Sequence, residues 1–312
     1  MNGQTIPRPA LLAGVLLAVT LTLVSAAPQQ AEQRTFATPR DAIQAVIDAA
    51  EHNDTVAMLK LFGPEGKDIV ETGDDTGTRD DRAQFVRRAR EKLEIQQDPT
   101  NPNRATFTVG AEEWPFPIPL VRNKAGQWRF DGAAGKMEVL ARRIGRDELN
   151  AVEVCRGYVE AQMEYASRDR DADGILEYAQ RIASSAGKKD GLYWEDAPDS
   201  LVPKSFAGAA ESVVERAGPN PSPYHGYLYR ILKAQGPAAD GGAANYVVKG
   251  KMIGGFALVA YPAEYGVSGV KTFIVNHRGI VYEKDLGPTT ATLARQMTQY
   301  NPDKSWQAVE GE

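Results

Sequence analysis

Apolar residues first recur with a helical period in TPRDAIQAVIDAAEHND, residues 38–54. Ile43, Val46, Ile47 and Ala50 fall at three- and four-residue steps, which places them on one face of a helix. Thr38 is a capping residue, Pro39 suits the first turn, and Asp41 complements the positive helix end. Asp54 caps a second helix carrying Met58, Leu59, Leu61 and Phe62, which GPEG stops. A third helix is expected over 79–95, ended by DPTNPN. The period then changes to two, and RATFTVG, WPFPIPLV and QWRFD read as strands. Helices followed by an antiparallel sheet predict an α+β unit.

WPFPIPLV restricts its own pairing. Successive strand residues point their backbone groups to opposite edges, so Pro115, Pro117 and Pro119 remove every donor along one edge. An edge strand is expected, with Trp114, Phe116, Ile118 and Leu120 on a shared core face.

A long helix is expected from Asp147 to Ser167, with Leu149, Val152, Cys155, Val159, Met163 and Ala166 inward. RDRDADG follows, then a shorter helix in ILEYAQRIASS. Residues 197–223 are rich in Pro, Ala, Gly and Ser and read as a surface connection with one short helix. GYLYRILKAQG, GGFALVAY, VKTFIVN and IVYEKDLG read as strands, HRG as a turn, and TTATLARQMTQY as a last helix. A helix packed on an antiparallel meander is the natural assembly, so the chain as a whole is α+β.

The N-terminus adds a compartment. Arg8 precedes LLAGVLLAVTLTLV, an uncharged apolar run too short to favour a membrane span, and VSAA supplies small residues. A signal peptide over 1–26 is expected, with α+β units over 27–145 and 146–312. The mature chain would then be periplasmic or secreted, with no stable membrane anchor.

Composition narrows the partners. The chain has 312 residues, 42% hydrophobic and 25% charged, with a net charge of −5. That balance is globular, and without a basic run it excludes nucleic acid as an expected partner. Cys155 is the single cysteine, so no intramolecular disulfide forms. Its helical setting suits a buried small hydrophobe.

The strongest candidate chemistry is a calcium loop. Calcium takes six to eight oxygen ligands, which acidic residues at alternate positions before a glycine can supply. Asp169, Asp171 and Asp173 stand at such positions before Gly174. The Ile175 carbonyl would follow, then Glu177, with Gln180 where a bidentate glutamate is usual. The competing reading is a polar turn in which Asp173 caps the following helix. His225 in PYHGY and Glu264 form the best acid–base pair the sequence offers, against a purely structural histidine. Tyr224, Tyr227, Tyr229, Tyr261 and Tyr265 read as cross-strand packing, against a glycan or peptide groove. Ser268 reads as a turn residue.

GAEEWPFPIPLV, DADGILEYAQR, PYHGYLYRIL and MIGGFALVAYPAEYGVSGVKTFIVNHRGIVYEKDLG together resemble a bacterial envelope family, domain of unknown function 2950. The resemblance covers nearly all of the mature chain and implies an exported two-part protein with no established activity. The first half also resembles the NTF2-like cone, through helices followed by a curled sheet and QWRFD as its late strand. The second half resembles the globular heads of pilin-like proteins, through QMEYASRDRDADGILEYA and the strands after GYLYRI. The expected function is a non-enzymatic binding or scaffold protein of the cell envelope, its partner an unidentified envelope protein or polymer. The alternatives are a hydrolase of an envelope polymer using His225 and Glu264, and a small-ligand carrier using the cone.

Overall fold

The structure, a computed structural model, describes Met1 and residues 33–70, 75–195, 197–210 and 222–310. The expected export segment and residues 211–221 of the surface connection lie outside the described residues.

The first core is built by α1 (Pro39–Glu51), α2 (Thr55–Phe62), α3 (Lys67–Val70) and α4 (Asp75–Glu91), with a 3-10 turn at Pro64–Gly66. Thr38 caps α1, its hydroxyl accepting from Asp41 N at 3.2 Å, and Asp54 caps α2, accepting from Ala57 N at 2.9 Å. Ile43, Val46, Ile47 and Ala50 are all buried, as their spacing requires. The helices pack on β1 (Leu93–Gln97), β2 (Arg104–Val109), β3 (Trp114–Pro115), β4 (Leu120–Arg122) and β5 (Trp128–Phe130). The sheet runs β1-β2-β4-β5, with β3 also on β2.

Two expectations change here. The third helix ends at Glu91 and not at residue 95, because Leu93–Gln97 pairs along its whole length with β2. Leu93 and Ile95 alternate with exposed Glu94 and Gln96, so sheet pairing outweighs helix propensity. The proline stretch is two short strands and not one. Phe116 N still donates to Phe107 O at 2.8 Å, and the carbonyls of Pro115 and Pro119 accept from Arg142 and Asp131. β4, however, lies inside the sheet between β2 and β5. Ile118 and Leu120 are buried, but Trp114 is 47% exposed and lies between the guanidinium groups of Arg88 and Arg142.

α5 (Gly132–Ala166) is a single helix of 35 residues. It begins 15 residues before the expected Asp147, so the boundary drawn between 145 and 146 falls inside it. Asp131 caps it, accepting from Ala134 N at 3.2 Å. Its first turn rests on the first core, where a Cβ on Gly132 would lie 2.2 Å from Phe62 O and one on Gly135 2.6 Å from Ile118 Cγ1. Its second half enters another core. There the inward face is Ala151, Val152, Cys155, Tyr158, Gln162 and Tyr165, while Leu149 and Met163 are 72% and 44% exposed. The tyrosines and Gln162 take the inward line because each spans to a backbone partner across the fold.

The second core closes on the expected meander. β6 (Tyr227–Leu232), β11 (Ala257–Pro262), β12 (Lys271–Asn276), β13 (Val281–Asp285) and β14 (Gln307–Ala308) form one antiparallel sheet in the order β14-β13-β12-β11-β6. Small ribbons join β7 (Ala234–Gln235) to β8 (Ala244–Asn245) and β9 (Val247–Val248) to β10 (Lys251–Met252). Two short helices, α6 (Lys204–Gly208) and α7 (Thr290–Gln296), complete the described elements. Tyr227, Tyr229 and Tyr261 are fully buried in this core and pack there, whereas Tyr224 and Tyr265 are partly exposed. Burial pushes the Cys155 thiol up to about 12, as a structural cysteine requires.

Candidate functional site

The aspartate loop starts where α5 stops. Ser167 N bonds back to Glu164 O at 3.2 Å, and the chain turns through Ala172 (φ 59°) and Gly174 (φ 81°). Asp169 accepts from Gly174 N at 2.8 Å and Asp173 from Ile175 N at 3.0 Å. These bonds gather carboxylate oxygens of Asp169, Asp171 and Asp173 within 4.8 Å of one another.

The shorter helix expected after the loop is absent. Residues 175–182 run without helix or strand. Tyr178 N donates to Met252 O at 2.8 Å, and Ala179 gives both its N–H and its carbonyl to the Gln162 amide, each at 2.8 Å. Tertiary partners therefore take the backbone groups that a helix would use internally. The capping role of Asp173 falls with that helix, since its carboxylate closes only the local turn.

A cation already meets the triad. The ammonium of Lys251, from β10, lies 2.6 Å from Asp171, 2.5 Å from Asp173 and 3.1 Å from Glu177. Hydrogen bonds to Asp171 and Asp173 raise the Lys251 pKa above its usual range, and the bond from Lys251 lowers that of Asp173. Asp169 is held low first by the Gly174 N–H. Gln180 is committed elsewhere: its NH2 donates to Gly250 O at 2.7 Å and its carbonyl accepts from Lys233 at 3.2 Å. Ile175 contributes its N–H to the turn, and its side chain is exposed. Of the six residues expected to ligate calcium, the three aspartates converge, and Glu177 reaches them through Lys251. Lys251 itself carries no local signal, because it arrives from a hairpin about 80 residues away in sequence.

The other candidate is a turn. Tyr224 and Tyr227 exchange N–H···O bonds of 3.0 and 3.1 Å around His225 (φ 50°) and Gly226 (φ 75°). Two central residues with positive φ make a two-residue hairpin loop of the type that favours Asn-Gly, for which His-Gly stands here. The His225 ring lies 4.2 Å from that of Tyr224, and its Nδ1 lies 3.5 Å from the Asn150 amide. No hydrogen bond or ion pair joins it to Glu264. Ser268 closes its own turn, accepting from Glu264 N and donating to Glu264 O. The acid beside the turn is Asp147, 8% exposed, which sequence reasoning missed. Its Oδ2 would lie 2.7 Å from a Cβ on Gly226. Burial raises its pKa, opposed by Arg146, Arg143 and His225.

The family described as "Protein of unknown function (DUF2950)" matches residues 33–309. The chain belongs to this family. No curated protein and no solved structure matches it. Within this DUF2950 chain, no helix among the described residues is long and apolar enough to cross a membrane.

His277 is a partly buried histidine just past the end of β12. It lies at 5.8 Å from Tyr246 and 6.2 Å from Phe256, ring to ring, and its Nδ1 is buried with no hydrogen-bond partner. Burial, then Arg278, lowers its pKa below the usual 6.5. The unfolded chain therefore binds this proton more tightly than the folded one. Stability from His277 is complete above pH about 6.5 and is lost as pH falls towards the depressed folded value. Melting temperatures from pH 8 to pH 5 should fall less in His277→Gln than in the wild type. Parallel curves would rule His277 out as a source of acid sensitivity.

Proposed function

We propose that this protein is a non-enzymatic binding or scaffold protein of the bacterial cell envelope, exported by a cleaved N-terminal signal. The observation that supports it best is α5, one helix that packs into both cores. A shared helix would hold two outer surfaces at a constant spacing, which is the framework a scaffold needs. The apolar run before VSAA supports export. The helices over the first sheet and the helix on the meander are in keeping with the NTF2-like and pilin-head-like resemblances.

The mature chain, used as bait in periplasmic extract, should retain an envelope protein or polymer that a heat-unfolded bait does not. Mass analysis of the native protein should give an N-terminus at Ala27, and intact Met1 in a membrane fraction would reject export. Turnover of an envelope polymer that disappears in His225→Ala would replace this reading with the hydrolase.

Calcium enters this reading as a weak ligand of the loop from Asp169 to Glu177, in competition with Lys251. The affinity expected without a bidentate glutamate is about 10⁻⁴–10⁻³ M. At roughly ten times Kd the melting temperature should rise by about 3–6 °C. The rise should disappear in Asp171→Ala and increase in Lys251→Met, which removes the competing ammonium. A flat titration of the chelator-treated wild type and of Lys251→Met would assign the carboxylates to Lys251 alone.

A further inference from the structure

The meander carries a cavity on a face that neither the aspartate loop nor the His225 turn touches. Strand register sets Arg230, Val259, Ile274 and Tyr282 in one cross-strand row, so the four share a face of the sheet. α7 ends over this row, where the Arg230 guanidinium donates to the carbonyls of Ala294 and Met297. The chain then crosses back along the sheet. Tyr300 N bonds Ala234 O at 2.9 Å, and the Asn301 side chain accepts from Ala238 N at 2.8 Å. Between this crossing and the sheet lies a cavity of about 280 Å³. Met297 and Trp306, both partly buried, supply apolar surface above the fully buried Ile274, and Gln296, Thr298, Gln299 and Asn301 supply the polar rim.

The lining has a definite chemistry. None of its side chains is charged, and the Lys284 ammonium stands beside them, 5.8 Å from the Trp306 ring centroid and donating to the Ser305 hydroxyl at 2.7 Å, so an amine ligand is disfavoured. The amides of Gln296 and Gln299, the Thr298 hydroxyl and the Trp306 indole N–H make no hydrogen bond within the described residues. Each amide offers donors and an acceptor side by side, the pattern that adjacent hydroxyls match. Trp306 adds a flat apolar surface with one polar edge. We propose that this cavity binds one sugar ring of an envelope glycan, its C–H face on Trp306 and its hydroxyls on the amide rim. Pockets for drug-sized ligands run from about 300 to 1,000 Å³, so this cavity fits a single ring better than a nucleotide or a lipid. A peptide added as a further strand would need the free backbone groups of a sheet edge, whereas this cavity lies on a sheet face.

The inference takes from the function proposed above only the source of the ligand, and its test needs no extract. The full mature chain is titrated calorimetrically with glucose, N-acetylglucosamine and chitobiose, with tri-alanine as the peptide probe. The same additions are followed by NMR at the Trp306 indole and the Gln296 and Gln299 side-chain amides. We expect saturable sugar binding that shifts these signals, weakened about tenfold in Trp306→Ala. Gln299→Ala should weaken it as well with an unchanged melting temperature. If Trp306→Ala does not fold, Gln296→Ala and Gln299→Ala decide by the same criterion, because both side chains are exposed. The proposal is overturned by no shift at about 100 mM sugar, by equal sugar binding in wild type and variants, or by response to tri-alanine alone. Sugar binding with an empty pull-down would keep the cavity's role and reject the scaffold, and the opposite pair of results would do the reverse.

Discussion

Gln162→Leu is expected to cost about 3–5 kcal/mol of stability, among the largest effects of any single polar replacement in this chain. Gln162 is fully buried and has every hydrogen-bonding group in use. Its NH2 donates to Ala179 O at 2.8 Å and to the Tyr158 hydroxyl at 2.9 Å, and its carbonyl accepts from Ala179 N at 2.8 Å. Leucine matches the volume and removes all three bonds. Ala179 is itself buried, so its N–H and carbonyl would lose their partners without gaining water, at about 1–3 kcal/mol each. The segment after the aspartate loop would then detach from α5, and Lys251 would lose its register with Glu177. Urea unfolding should show a lower midpoint at unchanged slope. Met163→Ala, one residue along and facing solvent, should stay within about 0.5 kcal/mol of the wild type. A cost below about 1 kcal/mol for Gln162→Leu would mean that Ala179 finds other partners.

Local signals were legible where a residue acts within its own element. Thr38, Pro39, Asp41 and Asp54 mark the helix starts they occupy, and β6, β11, β12 and β13 fall within the apolar runs read as strands. The family was legible for the same reason, since its motifs are contiguous runs. What stayed hidden is settled across the fold. Gly132 and Gly135 are poor helix formers and conceal the first turns of α5, yet the helix needs both to approach Phe62 and Ile118. The inward line of α5 was drawn through Leu149 and Met163, because hydropathy gives no weight to tyrosines and a glutamine that bond to distant backbone. ILEYAQRIASS has helical spacing and no helix, because Gln162 and Met252 take its backbone groups. Of the candidate site, the aspartates were legible by spacing, but Lys251 and Asp147 reach their neighbours only through the tertiary fold. The Trp306 cavity is equally non-local, since its walls come from β12 and the chain after α7.

Gly132→Ala should act on the other end of the same helix. The added methyl would lie 2.2 Å from Phe62 O, a backbone atom that no rotamer change can move. α5 would have to lift from the end of α2, or its first turn would have to unwind from the Asp131 cap. Overpacking of this kind costs about 3 kcal/mol, the upper end of the usual range. Gly135→Ala should cost a comparable amount, because its methyl would lie 2.6 and 2.7 Å from the two γ carbons of Ile118, a buried β-branched side chain that rotation cannot clear. The buried residues divide into one cluster from Phe36 to Phe130 and another from Ala151 to Tyr300. If these melt as separate units, Gly132→Ala should lower one calorimetric transition by more than about 10 °C and leave the other in place. Gln162→Leu should lower the transition that Gly132→Ala leaves alone. One shared transition, lowered by both substitutions, would instead mean that α5 couples the cores into a single cooperative unit. The framework argued for a scaffold would then rest on that coupling, and a break at either end of the helix would release both outer surfaces together.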